Sequence, residues 1–260
     1  HTHTLTQTQT ARTHTHTPHT HTHVRAEREG RESLIPGAHT HHITQTRSHA
    51  LAHTHCTHTQ QKTHTMDSQI GIVGKDFVLM ACDTGVGAHG VMMQKTDQDK
   101  ITEFEDYLLM SQGGEAGDCD QFHDYFIHNL KLFTLRNGMP LTTKATASLA
   151  RNFISTSLRS SPFTTNLLIG GRDADGSVSL YWLDYLGALR KLNYGIHGYA
   201  GYFLSGLLDK EWRPDLSEED AIALTAKCIR ELKKRFIIQT PGFKVKILSA
   251  QGIRSVEVAA

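Results

Sequence analysis

No phenylalanine, tyrosine or tryptophan occurs in residues 1–65; all 19 aromatics of the 260-residue chain lie beyond Met66. A segment with so little apolar surface has little to offset the entropy of ordering, so residues 1–65 are expected to be disordered. No CxxC pair occurs either. The four cysteines, Cys56, Cys82, Cys119 and Cys228, stand far apart. Such spacing implies reduced, buried thiols in a cytosolic or nuclear protein rather than a disulfide framework. No run of 18 apolar residues is present, which excludes a membrane-spanning helix. The N-terminus lacks an apolar stretch with a cleavage site, so no signal peptide is expected. Charge of one sign is also scarce, at +1 net for the chain. Beyond residue 65 there are 21 basic against 23 acidic side chains, near −2. Without a basic stripe or an acidic block, neither a nucleic-acid surface nor an acidic interaction tail is expected.

What residues 1–65 do contain is histidine and threonine, including 15 of the 19 histidines. The runs HTHTLTQTQT, HTHTHTPHTHTH and HTHCTHT are low complexity and offer no unit that could stack. Alternating imidazoles could attract zinc, copper or nickel, but nothing fixes four of them at tetrahedral geometry. A CACACA nucleotide repeat read in frame also gives His-Thr-His-Thr. The first methionine is Met66, so the expectation is translated untranslated sequence with initiation at Met66. The domain division is therefore 1–65, low complexity, and 66–260, one globular domain with room for a sizeable core.

Within 66–260 the pattern alternates between short apolar runs and helical periods. Ile70–Val73 and Phe77–Cys82 flank Gly74-Lys75-Asp76 as a hairpin. Val91–Gln94 and Tyr107–Ser111 read as a second pair of strands, with an exposed polar turn, QKTDQDKITEFED, between them. Phe122, Phe126, Leu130 and Phe133 recur at helical spacing, predicting a helix over 115–136 closed by Asn137-Gly138. Thr142 or Thr143 caps a second helix whose inner face carries Ala145, Leu149, Phe153, Ile154 and Leu158. Strands resume at Thr165–Ile169 and Val178–Tyr185 around Asp175-Gly176. A third helix spans Tyr199–Trp212. A fourth opens on Ser217, with Asp220 at its third position and Ile222, Ile229, Leu232 and Phe236 on its apolar face. Phe243–Leu248 and Ile253–Val258 close the chain as a hairpin.

Strands in blocks, with two helices after each block, favour antiparallel sheets over a doubly wound parallel one. The expected class is α+β, a four-layer α/β/β/α sandwich with two antiparallel sheets.

Several motifs in fixed order then resemble one family. Gly114-Glu115-Ala116-Gly117-Asp118, Leu168-Ile169-Gly170-Gly171 and Leu180-Tyr181-Trp182-Leu183-Asp184-Tyr185-Leu186-Gly187 are similar to the β subunits of the 20S proteasome. The run Tyr194-Gly195-Ile196-His197-Gly198-Tyr199-Ala200-Gly201, with Leu207-Leu208-Asp209 and Arg213-Pro214-Asp215, resembles the non-catalytic type-2 branch. The resemblance covers nearly all of 67–258 and implies the N-terminal nucleophile hydrolase fold.

Active members of that family attack with an N-terminal threonine whose α-amino group, of ordinary pKa ~8, is the base. Aligning Leu79-Met80-Ala81-Cys82-Asp83 with the family segment puts Asp67 at the threonine position, followed by Ser68. No Gly-Thr junction lies nearby, and Thr65 is two residues out of register. Asp83 is kept, and Lys100 aligns with the family's lysine after a one-residue insertion. The resemblance implies a loss at Tyr199-Ala200-Gly201, where the family has Ser-Gly-Ser. It implies another at Ile238-Gln239-Thr240-Pro241-Gly242, where an Asp and a Ser are absent. Asp83 and Lys100 are thus degenerate remnants whose role is an ion pair or turn support, and no catalytic residue, cofactor or metal is expected. No G-x-S-x-G elbow occurs. Cys119 and His123 lie one helical turn apart, a pair more often due to packing. Gly113, Gly114 and Gly117 match no phosphate loop and instead permit close backbone approach.

The resemblance implies a structural β subunit supporting ring assembly and proteasomal protein degradation in cytoplasm and nucleus. Its partners would be other β subunits in a seven-membered ring, α-ring subunits and the opposing β ring, with no nucleic acid and no membrane. The competing expectations are an active threonine endopeptidase with an atypical nucleophile near residues 65–68, and a His-rich metal-binding protein.

Overall fold

The computed structural model describes residues 67–88, 92–237 and 240–258. The expectations for residues 1–65, including disorder, metal affinity, initiation at Met66 and any role of Thr65, lie outside the described residues. In chain order the strands are β1 (Ser68–Val73), β2 (Val78–Asp83), β3 (Val86–Ala88), β4 (Met92–Lys95), β5 (Ile101–Phe104) and β6 (Leu108–Gly114). Helices α1 (Ala116–Asn137) and α2 (Thr143–Ser157) follow, then β7 (Thr165–Arg172), β8 (Val178–Leu183), β9 (Leu189–Leu192) and β10 (Tyr194–Gly198). The chain ends with α3 (Ala200–Glu211), α4 (Glu218–Arg235), β11 (Phe243–Ser249) and β12 (Gly252–Val256).

Two five-stranded sheets form, in the orders β10-β1-β2-β11-β12 and β5-β6-β7-β8-β9, with β3-β4 as a separate ribbon. Every pairing is antiparallel. Because side chains alternate along a strand, each strand feeds two cores. In the first sheet Ile70, Ile72, Leu79, Ala81, Val245 and Ile247 pack against Leu204 and Leu208 of α3 and Leu224 and Leu232 of α4. In the second, Leu108, Met110, Leu167, Ile169 and Leu183 meet Phe122, Phe126 and Leu130 of α1 and Ala150 and Ile154 of α2. The residues one step out of phase, Val78, Met80, Leu109, Leu168, Leu180 and Leu248, fill the space between the sheets. The result is the four-layer α/β/β/α sandwich.

The helix ends follow local chemistry. Glu115 accepts from the Asp118 amide, Thr142 from Ala145 and Ser217 from Asp220, each satisfying an otherwise unpaired donor of a first turn. Gly138 closes α1 in the left-handed conformation, φ 68°, donating to Thr134 O.

Four details differ from the sequence reading. The polar stretch read as an exposed turn contains β5, whose Ile101 and Phe104 are buried. Tyr107–Ser111 accordingly lies in a strand between β5 and β7 rather than opposite 91–94. β9 and β10 are strands where none was expected. Phe236 lies just beyond the last turn of α4 as its C-cap, in ring contact with Tyr199 and Phe203.

Candidate functional site

Asp83 ends β2, and the pairing of β2 with β1 sets it beside Ser68, whose amide donates to Asp83 Oδ1 at 2.8 Å. Lys100 lies immediately before β5. Its Nζ donates to Asp67 Oδ1 at 2.5 Å, to Asp83 Oδ2 at 3.0 Å and to the carbonyl of Gly85 at 2.6 Å. An ammonium has three hydrogens, so all are used. The Lys100, Asp67 and Asp83 side chains are 9%, 16% and 4% exposed. The structure thus brings together all three residues singled out by the alignment.

The second oxygen of Asp67 accepts from the Gly114 amide at 2.8 Å. Gly114 takes φ 149°, and a Cβ there would lie 2.1 Å from Thr164 O. Beside it, a Cβ on Gly113 would meet Gln69 Nε2 at 2.4 Å and Asp67 Cβ at 3.0 Å. Asp67 and Gln69 therefore share the side of the first strand that faces β6. At the other end, Gly198 has φ 76°, and a Cβ would sit 1.8 Å from the Asp67 carbonyl. Backbone and side chain of Asp67 are both enclosed.

Two carboxylates share one ammonium here. Burial pulls the Lys100 ammonium toward losing its proton, but the charges of Asp83 and Asp67 and their hydrogen bonds outweigh it and raise the pKa. Burial also lifts the Asp83 carboxyl above its usual range, against the pull of Lys100. A second ion cluster supports the first. Lys246 of β11, 8% exposed at its side chain, donates to Asp99, Glu103 and the Ile101 carbonyl, each at 2.8 Å, and so pins the segment that carries Lys100. Ser111 donates to Gln69 Oε1 at 2.7 Å, and Gln69 to Asn166 O at 3.3 Å, extending the polar layer between the sheets.

The other candidates stay apart from this cluster. Cys119 donates to Thr165 Oγ1 at 3.4 Å, and burial pushes its thiol up to about 12, which removes a thiolate role. His123 contacts Asp124 instead. Burial likewise pushes the Cys82 thiol up, and that of Cys228 to about 12. Tyr199 precedes α3, and Ala200 and Gly201 open it. Of the late loop, 238 and 239 lie outside the described residues, while Gly242 accepts from the Thr84 amide at 3.0 Å. Among the described residues no three His, Cys, Asp or Glu side chains are grouped for a metal, and no helix is long and apolar enough to cross a membrane.

The backbone partners were not visible as motifs: the Gly114 amide, the Gly85 carbonyl and the close fit at Gly198. Gly113, Gly114 and Gly117, read as permitting close backbone approach at the helix entry, were the one signal; the Thr164 carbonyl approaches Gly114, and the Asp67 and Gln69 side chains approach Gly113.

Chemically, the cluster holds a cation between fixed anions. Both oxygens of the Asp67 side chain are engaged, one by the Lys100 ammonium and one by the Gly114 amide.

A family model described as proteasome subunit matches residues 64–248. The proteasome subunit beta type-2 of Dictyostelium discoideum is 44% identical over 192 residues, 73% of this chain and 96% of the relative. That of Oryza sativa subsp. japonica is 40% identical over 189 residues, covering 73% and 89%. The proteasome subunit beta type-4 of Saccharomyces cerevisiae is 38% identical over 194 residues, covering 74% and 98%. With two antiparallel sheets packed between helix pairs and a match over most of its length, the chain belongs to the proteasome β-subunit family and has the N-terminal nucleophile hydrolase fold.

Proposed function

We propose that the chain is a non-catalytic structural β subunit of the 20S core particle, supporting ring assembly and protein degradation by its neighbours. One observation carries this reading: the side chain at the start of β1 is the carboxylate of Asp67, tied by both oxygens to Lys100 and Gly114. Asp83 and Lys100 are then remnants of a catalytic constellation turned to holding the strand. Asp67 stands where active members have threonine, and Tyr199 and Gly201 where they have serines.

The surface supports assembly. Tyr125, Leu135 and Met139 on and just beyond α1 are 52%, 82% and 63% exposed, and Tyr202 on α3 is 84% exposed. So much apolar surface on the outer helices fits burial against other subunits of the β ring, the α ring and the opposing β ring. The folded unit would be residues 66–260, acting without cofactor in cytoplasm and nucleus.

The enzymatic alternative, a threonine endopeptidase with an atypical nucleophile near 65–68, would have to use Ser68 among the described positions. Ser68 is 1% exposed and lies in phase with Ile70 and Ile72, on the α3–α4 side of the strand. Purified particles treated with a threonine-directed covalent probe should show no adduct on this subunit by mass. A labelled peptide from residues 63–72 would overturn the scaffold reading.

A further inference from the structure

Asp67 behaves in this site as a ligand as well as a residue. Its carboxylate is held by a charged donor on one oxygen, Lys100 Nζ at 2.5 Å, and by a backbone donor on the other, the Gly114 amide at 2.8 Å. Each donor has anchors besides Asp67. Lys100 is also fixed by Asp83 and Gly85, and the segment around it by Lys246. Gly114 is fixed by the β6–β7 pairing with Thr165. Glycine at 113 leaves the space into which the side chain fits. Two pre-set donors, one ammonium and one amide, are a recognition device for a carboxylate.

We infer that Lys100 and the Gly114 amide form a carboxylate-binding cradle, which this chain closes with its own Asp67 side chain and which, once opened, accepts a free small carboxylate. Formate has the same three heavy atoms as the Asp67 carboxylate, so it restores both hydrogen bonds and the charge. In the unaltered chain the Asp67 plug keeps free carboxylates out. The cradle is built within this one chain and does not depend on the ring assembly proposed above, so the two readings stand or fall separately.

The test uses the full-length chain and its Asp67→Ala variant in thermal unfolding, with sodium formate titrated against sodium chloride at matched ionic strength. Because Asp67→Ala removes a buried partner of Lys100 and could fail to fold, Asp67→Ser is carried in parallel. Formate should raise Tm of these variants saturably, by about 3–5 °C over chloride at ten times its Kd. It should not do so for the unaltered chain or for Asp67→Ala with Lys100→Met. Binding of ¹³C-formate, followed by NMR line width, should follow the same pattern. The inference is overturned by an equal formate response in all four proteins, by none in either single variant, or by one that survives Lys100→Met.

Discussion

At Lys100 one ammonium serves three acceptors, one of them a buried carboxylate and one a partly buried one. Removing one partner of such a set leaves uncompensated charge inside the protein. Lys100→Met is therefore expected to destabilise the fold by about 3–5 kcal/mol, read from urea unfolding. A loss under about 1 kcal/mol would mean the cluster is solvated. Lys100→Arg should not restore stability, since a planar guanidinium cannot point its donors at the same three acceptors. His197 is the second buried ionisable residue of consequence. It stacks on Trp182, with centroids 4.6 Å apart, and donates from Nε2 to Leu167 O at 3.1 Å. Burial pushes its pKa down from 6.5 to about 4, with the Leu167 and Leu183 carbonyls pulling the other way. The folded value is the lower one, so the folded state binds this proton less readily than the unfolded chain. The stabilisation is whole above pH 6.5 and is lost as pH falls through 4, amounting to about 3 kcal/mol. His197→Phe keeps the stack and removes the proton. The unaltered protein should lose about 3 kcal/mol relative to His197→Phe as pH falls from 6.5 to 4; a constant difference would refute the assignment.

At the scale of elements, the start of β1 is held from both sides. β10 pairs with it through Ser68↔Gly198, and β2 through Gln69↔Cys82. Gly198 is the point where this pairing depends on a missing side chain, since its φ of 76° and the 1.8 Å approach of Asp67 O exclude a Cβ. Gly198→Ala should lower stability by about 2–4 kcal/mol and loosen the end of β1. Hydrogen exchange would show this as faster exchange of the Ser68 amide, the donor to Asp83, with the β7–β8 amides unchanged. Uniform protection across both strands would count against it.

At the scale of the whole molecule, the two sheets share one interior and the helices close it on both outer faces. Among the described residues, six of the ten exposed large apolar side chains lie on α1 and α3, where a neighbour could cover them. Leu135 is 82% exposed and near the C-terminal end of α1. Leu135→Glu should leave the chain's own unfolding within about 0.5 kcal/mol of the original, as surface changes do. If α1 faces another subunit, the same change should reduce incorporation into particles several-fold in a competition between tagged copies. Equal incorporation would remove α1 from the proposed contacts.

Much of this was legible in the residues. Short apolar runs such as Phe77–Cys82 and period-3.6 runs such as Phe122-Phe126-Leu130 depend only on which face meets a core, and they indicate the layers and place the helix starts within a residue. Ser217, Thr142 and Gly138 marked their helix ends because capping is a local exchange of hydrogen bonds. Asp67, Asp83 and Lys100 were found by alignment with a family pattern, before any geometry. The rest required the tertiary structure. β5 was hidden because Thr102 and Glu103, following the Lys100 that precedes the strand, make the stretch read as polar; Lys100 is satisfied only once it meets Asp67 and Asp83, and Glu103 meets Lys246 of β11. β9 and β10 carry little alternation and are strands because β8 and β1 offer them edges. The Gly114 amide and the Gly85 carbonyl carry no side-chain signature at all, so the cradle around Asp67 exists only once β1, β2, β5 and β6 converge on it.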